Sequence, residues 1–245
     1  MGARSGGKIM IKQILISVMA LSVTTIASAD AANKPVLKKI VPPPPDYFPL
    51  RIKDSEGKPI EWWWKYTYVK CNLNGKPIDK KPEDFKIQVI NAVKQPDETI
   101  LWQLDTTSPA MKTIREWYMK AKEKVVWHKE QYGDDETMRV QFSPERVLLT
   151  NPPTKDETWP WKGKGNMGIE INNMSTVSGP EEVITPAGKF QAMKVTVTGT
   201  QGGQPINMSY WYANYIGLVK STATSATMDS ESQLLDYSFK NPPPK

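Results

Sequence analysis

The sequence predicts an antiparallel all-β protein in which two tandem sheet-forming repeats make a curved open sheet or partial barrel. Three observations carry that prediction. Trp62, Trp64, Tyr66 and Tyr68 fall on alternate positions with Lys65 and Thr67 between them, the period of two that turns one face of a strand towards a core. Short runs of β-branched and aromatic residues are separated by turn signals such as Asn74-Gly75, Gln95-Pro96-Asp97, Thr185-Pro186-Ala187-Gly188 and Gln201-Gly202-Gly203-Gln204. At a constant shift of 94 residues, Val89-Ile90 recurs as Val183-Ile184, Trp117-Tyr118 as Trp211-Tyr212 and Val125 as Val219.

Taken in chain order, residues 1–29 carry Arg4, Lys8 and Lys12, an apolar run from Ile14 to Leu21, and Ala27-Ser28-Ala29. A basic start, a short apolar core and a small-x-small site define a signal peptide, cleaved near Ala29. The run falls short of the ~20 apolar residues that span a bilayer, so the product is expected in the periplasm or on the extracellular side, with no transmembrane segment. Losing three bases lowers the formal net charge from +6 to +3. The remaining excess is no nucleic-acid signal, because such a surface needs its basic residues clustered on one face. Residues 30–46 form an extended linker around Pro42 to Pro45, and residues 241–245 a Pro-rich tail.

The first β repeat is assigned to residues 47–149 and the second to 150–240. Each begins at a Pro-marked entry (Phe48-Pro49-Leu50; Pro152-Pro153) and continues into a Trp-bearing strand (Trp62 to Tyr68; Trp159-Pro160-Trp161). Further strands are expected at Phe85 to Val93, Thr99 to Leu104, Thr137 to Phe142, Gly168 to Met174, Phe190 to Thr198, Ile206 to Ala213 and Gly217 to Thr222. Met111, Ile114, Tyr118, Ala121 and Val125 have the three-four spacing of an amphipathic helix. The recurrence with the Trp211 region argues instead for a strand hairpin turning near Lys122-Glu123-Lys124, which is the preferred reading.

The second half resembles a known family. Val183-Ile184-Thr185-Pro186-Ala187-Gly188-Lys189-Phe190-Gln191-Ala192-Met193-Lys194-Val195 is similar to the signature of the TapB-like secreted bacterial envelope proteins, whose members are mostly uncharacterised. Tyr210 to Lys220 resembles that family's Trp-Tyr strand pair, and Leu234-Leu235-Asp236-Tyr237 its closing strand. Asn214-Tyr215 stands where the family has Pro-Gly, so a turn of different shape is expected there. The resemblance implies an all-β envelope protein, lipoprotein-carrier-like at most by analogy, and supplies no reaction. Pro186, Ala187, Gly188, Phe190, Trp211, Tyr212 and Gly217 are read as fold residues: Pro fixes φ and Gly permits the turns.

No catalytic constellation is evident. One Cys and one His exclude an internal disulfide and the multi-Cys and His-pair metal sites. His128 has no evident partners for nucleophilic catalysis, and Cys71 reads as a small buried thiol. Asp134-Asp135-Glu136 and Glu181-Glu182 sit beside turns without calcium-loop spacing; Gly163-Lys164-Gly165 is too short for a phosphate loop. No cofactor and no metal are expected. Nine Trp and nine Tyr either build the core or line a concave face, with Trp62, Trp64, Tyr66 and Tyr68 as the ligand-face candidates. The expectation is a non-enzymatic envelope protein that binds an apolar or amphipathic ligand, or another envelope protein, through an aromatic-rich sheet. The alternative is a structural or assembly component without a small-molecule ligand.

Overall fold

A computed structural model describes residues 43–77, 83–121, 123–165 and 168–239. The expected signal peptide, the linker before Pro43 and the Pro-rich tail lie outside the described residues. Thirteen strands follow one another: β1 Trp62–Leu73, β2 Lys76–Pro77, β3 Phe85–Lys94, β4 Ile100–Ser108, β5 Met111–Lys120, β6 Lys124–Tyr132, β7 Arg139–Thr150, β8 Thr158–Lys164, β9 Glu170–Thr185, β10 Gly188–Gln201, β11 Gln204–Ala213, β12 Gly217–Ser225 and β13 Met228–Tyr237. A 3-10 turn, Glu136–Met138, precedes β7, its first residues held by the Asp135 carboxylate accepting from the Thr137 N–H.

All strand pairs are antiparallel. Along the sheet the order is β7-β6-β5-β4-β3-β1-β13-β12-β11-β10-β9-β8, with β2 a short spur on β1. Two six-strand meanders are therefore joined where β1 pairs with β13, and the two free ends, β7 and β8, come together. There the indole N–H of Trp159 donates to the Val147 carbonyl and that of Trp161 to the Pro144 carbonyl, both at 3.1 Å. The result is a nearly closed barrel, as the all-β expectation of a curved sheet or partial barrel required, with side chains rather than a ladder at its seam.

The contested segment 111–125 is the β5-β6 hairpin. Ile114, Glu116 and Tyr118 alternate into the barrel, and the Ala121 N–H donates to the Lys124 carbonyl across the turn at 2.9 Å. Pairing with β4 on one side and β6 on the other overrides the local helical spacing. Two strands run longer than expected. β9 continues through Ser178-Gly179-Pro180, a stretch with turn composition, by absorbing it as an irregularity of register against β10. β7 likewise continues past Phe142 through Ser143-Pro144 to Thr150.

Inward rows supply the core: Trp62, Trp64, Tyr66 and Tyr68 from β1, Ile87 from β3, Leu104 from β4, Tyr118 from β5, Val195 from β10, Tyr212 from β11 and Leu234 from β13. A ring of twelve strands is wider than the eight whose side chains just fill a barrel. Large rings make up the difference here, the biggest fully buried ones being Trp64, Trp127, Tyr66, Tyr118 and Tyr212. Outward rows are charged, and the outward Trp63, Trp117 and Trp211 lie under the ammonium groups of Lys86, Lys129, and Lys194 with Lys220. An aromatic interior inside a charged exterior is the reverse of a barrel built to face lipid. Among the described residues no helix is long and apolar enough to cross a membrane.

Candidate functional site

The four aromatic candidates do not form an exposed face. Trp62, Trp64, Tyr66 and Tyr68 are all buried, and three of them use their polar atoms inside the fold. Trp62 donates to the Pro49 carbonyl at 3.0 Å, Trp64 to the Ile216 carbonyl at 2.7 Å and Tyr66 to the Leu218 carbonyl at 3.0 Å. A buried indole or phenol needs one such partner, so these rings belong to the packing of the barrel wall.

The family-motif residues lie at a turn and on two strands. Pro186-Ala187 form the two-residue loop between the paired Thr185 and Gly188, and the Ala187 N–H reaches across to the Leu234 carbonyl on β13 at 3.1 Å. This turn borders a shallow depression of about 470 Å³ with Lys65, Leu235, Asp236 and Tyr237. Phe190 packs half-buried on the core, while Trp211, Tyr212 and Ala213 are buried on β11. The Trp211 indole donates to the Glu181 carboxylate.

Among the remaining candidates, His128 faces outward and meets Glu145 at 3.3 Å. Cys71 is half-buried rather than fully buried, because it sits near the end of β1 where the strand leaves the core; desolvation raises its thiol pKa. Asp134 pairs with Arg115 at 2.8 Å, Glu136 with Arg139, and Glu182 with Lys189.

Asn214 and Tyr215, the two departures from the family pattern, have a specific task. Tyr215 takes a positive φ of 61°, and its hydroxyl donates to the Pro43 carbonyl at 2.6 Å. Asn214 Oδ1 accepts from the Asp46 N–H at 2.7 Å. Asp46 then accepts from Lys120 Nζ at 2.6 Å and from Asn151 Nδ2 at 3.0 Å. Residues 43–50 therefore form a strap across one end of the barrel, from the β11-β12 turn to the ends of β5 and β7. Phe48 and Leu50 are driven to zero exposure beneath it, with the Phe48 ring edge-on to Tyr118 at 5.6 Å.

Past the strap the interior turns polar. Glu116 on β5 and Glu130 on β6 are directly opposite each other in the ladder and are 1% and 5% exposed. Tyr118 donates to Glu116 Oε1 at 2.9 Å, and Tyr132 hydrogen-bonds Glu130. Arg146 on β7 lies between two indoles, 5.1 Å from the Trp127 ring and 5.2 Å from the Trp161 ring. Burial pushes Glu116 well above the usual carboxylate range, and the facing Glu130 adds to it. Burial raises Glu130 to about 7 against the pull of Arg146 and Tyr132. Four buried polar atoms here and nearby have no hydrogen-bond partner: Glu116 Oε2, Tyr212 Oη, Trp127 Nε1 and Asn173 Nδ2.

Farther from the strap the inward rows become small and hydroxylic. Ser230 and Ser232 on β13 are buried, and Ser232 meets Ser221 on β12 at 2.7 Å. Ser221, Ala223 and Ser225 face the same side of the sheet and are half-buried. Sequence reasoning missed Glu116, Glu130 and Arg146. The signal for Glu116 was present once 111–120 is read as a strand, because Ile114, Glu116 and Tyr118 then share the inward face. For Arg146 there was none, since the irregular stretch Ser143 to Glu145 breaks the alternation.

No family model matches the chain, so the likeness to the TapB-like signature remains a resemblance, and none of the curated proteins matches it. Two solved structures are similar. One is a Bacteroides fragilis protein described as exported with a YmcC-like fold, 17% identical, TM-score 0.43, covering 72% of this chain and 95% of that one. The other is a Parabacteroides distasonis protein described as a lipoprotein, 11% identical, TM-score 0.41, covering 71% and 95%. Likeness of this extent says nothing about what this chain does.

Proposed function

We propose that this chain is a non-enzymatic, exported protein of the bacterial cell envelope that takes a small amphipathic ligand into the open, hydroxyl-lined half of its barrel. One observation carries the reading: buried donors and acceptors without a partner stand inside the barrel, and the inward β12 residues Ser221, Ala223 and Ser225, farther from the strap, are only half-buried. An unpaired buried polar atom costs about 1 to 3 kcal/mol, and a bound molecule with an apolar body and a neutral hydrogen-bonding end would relieve it. Met208 and Met228 supply adaptable apolar surface beside the serines. Export rests on the signal-peptide pattern of residues 1–29. The duplication of a six-strand unit belongs to the same proposal; its support is the recurrence of Trp117-Tyr118 as Trp211-Tyr212 on β5 and β11.

Mass spectrometry of the mature protein, purified gently from its own envelope, tests the proposal. A stoichiometric small molecule is expected, and its extraction should lower the melting temperature. A protein that emerges empty and melts identically before and after extraction would refute ligand binding and favour an assembly component.

A further inference from the structure

We infer that the barrel interior is a one-proton site: Glu116 and Glu130, facing each other across β5 and β6 with Arg146 as their counter-charge, retain a proton at neutral pH, and it resides on Glu116. The charge arrangement demands it. Residues directly opposite in an antiparallel pair hold their Cβ atoms about 5 Å apart, and two carboxylates at that range in a dry interior cannot both ionise beside one guanidinium. The neighbours divide the two roles. Glu130 feels Arg146 more strongly than any other charge and is hydrogen-bonded by Tyr132, which suits the ionised partner. Glu116 feels Glu130 first and Arg146 last, with Asp105 on β4 adding repulsion.

The hydrogen bonding of Glu116 points the same way. Tyr118 donates to Oε1, while the buried Oε2 accepts from no group among the described residues, the nearby buried Tyr212 hydroxyl on β11 included. An ionised Glu116 would therefore be left with one oxygen unsatisfied in the interior. The groups facing the pair are Tyr118 from β5, Tyr132 from β6, Arg146 from β7 and Tyr212 from β11, with Arg146 the one cation among them; Asp105 from β4 acts through the sheet from the outward face, where it is opposite Arg115 and pairs with it.

Infrared spectroscopy of the mature, folded protein reads the site directly. At pH 8, above the titration of Glu130, the carbonyl stretch of an un-ionised, buried carboxyl should be present in the wild type and largely lost from Glu116→Gln. In Glu130→Gln the like charge opposite is gone, so the proton affinity of Glu116, followed by the same band against pH, should fall at least tenfold. Absence of the band from the wild type, its persistence in Glu116→Gln, or an unchanged titration in Glu130→Gln would each overturn the inference. Should Glu116→Gln fail to fold, the wild-type band and the Glu130→Gln titration decide the matter alone.

Discussion

Replacing Trp64 by alanine separates a wall-packing ring from a ligand-binding one. The side chain has no exposed surface, meets Phe239 edge-on at 5.3 Å between ring centroids and donates to the Ile216 carbonyl at 2.7 Å. Truncating a buried tryptophan costs about 3 to 5 kcal/mol, and the carbonyl left without its donor pushes the loss to the upper part of that range. Trp64→Phe keeps most of the ring and deletes the donor, so its cost should be about 1 to 2 kcal/mol. Equilibrium urea unfolding, followed by far-ultraviolet circular dichroism, measures both. With a slope of roughly 2 kcal/mol per molar urea, the alanine variant should unfold about 2 M earlier with the slope unchanged. A loss below about 1 kcal/mol for alanine, or equal losses for the two variants, would refute the assignment of Trp64 to the packed wall.

Stability should also fall as pH rises. Glu130 moves from its ordinary 4.5 to about 7 on burial, so the stability contributed by its un-ionised form is complete below pH 4.5 and gone above 7. That difference is worth ~3 kcal/mol. Urea melts at pH 5 and pH 8 should show a fall in the wild type and a smaller fall in Glu130→Gln, where Glu116 alone remains raised, whereas greater wild-type stability at pH 8 would contradict it. Asp46→Ala removes the carboxylate that accepts from Lys120 Nζ, Asn151 Nδ2 and the Phe48 N–H and should cost about 2 to 3 kcal/mol, with faster hydrogen exchange along residues 47–50. A near-neutral result would mean that the strap is not anchored there. Gly199→Ala places a methyl 2.1 Å from the Asn172 carbonyl oxygen and 2.6 Å from the Asn173 Cα; backbone cannot yield that far, so the variant should lose at least ~3 kcal/mol of stability or fail to accumulate. Wild-type melting of this variant would disprove the close approach of β9 to β10.

Strand content was legible because it rests on local alternation. The period of Trp62 to Tyr68, the loop at Pro186-Ala187 and the Trp-Tyr recurrence each point to their strands without knowledge of the partners. Ring closure was not legible, since nothing local says that the indoles of Trp159 and Trp161 meet carbonyls on β7. The candidate site was hidden for a related reason. Glu116 and Glu130 read as ordinary surface charges until β5 and β6 are set in register, because burial of a charge follows from neighbours distant in sequence. Tryptophans drew attention to the best-packed wall instead, where their hydrogen bonds are already spent on backbone carbonyls.

The seam between β7 and β8 has a bearing on behaviour in a crowded compartment. Each flanking strand presents main-chain groups that another polypeptide could use as a template, the usual starting point of fibrous association. Pro144 and Pro160 stand in those two strands. A proline offers no amide hydrogen to an incoming segment, and the two tryptophan donors already occupy carbonyls on the opposite lip. The break in the ring is thereby guarded against foreign strands while staying free of the rigid lacing that binds the rest of the circumference.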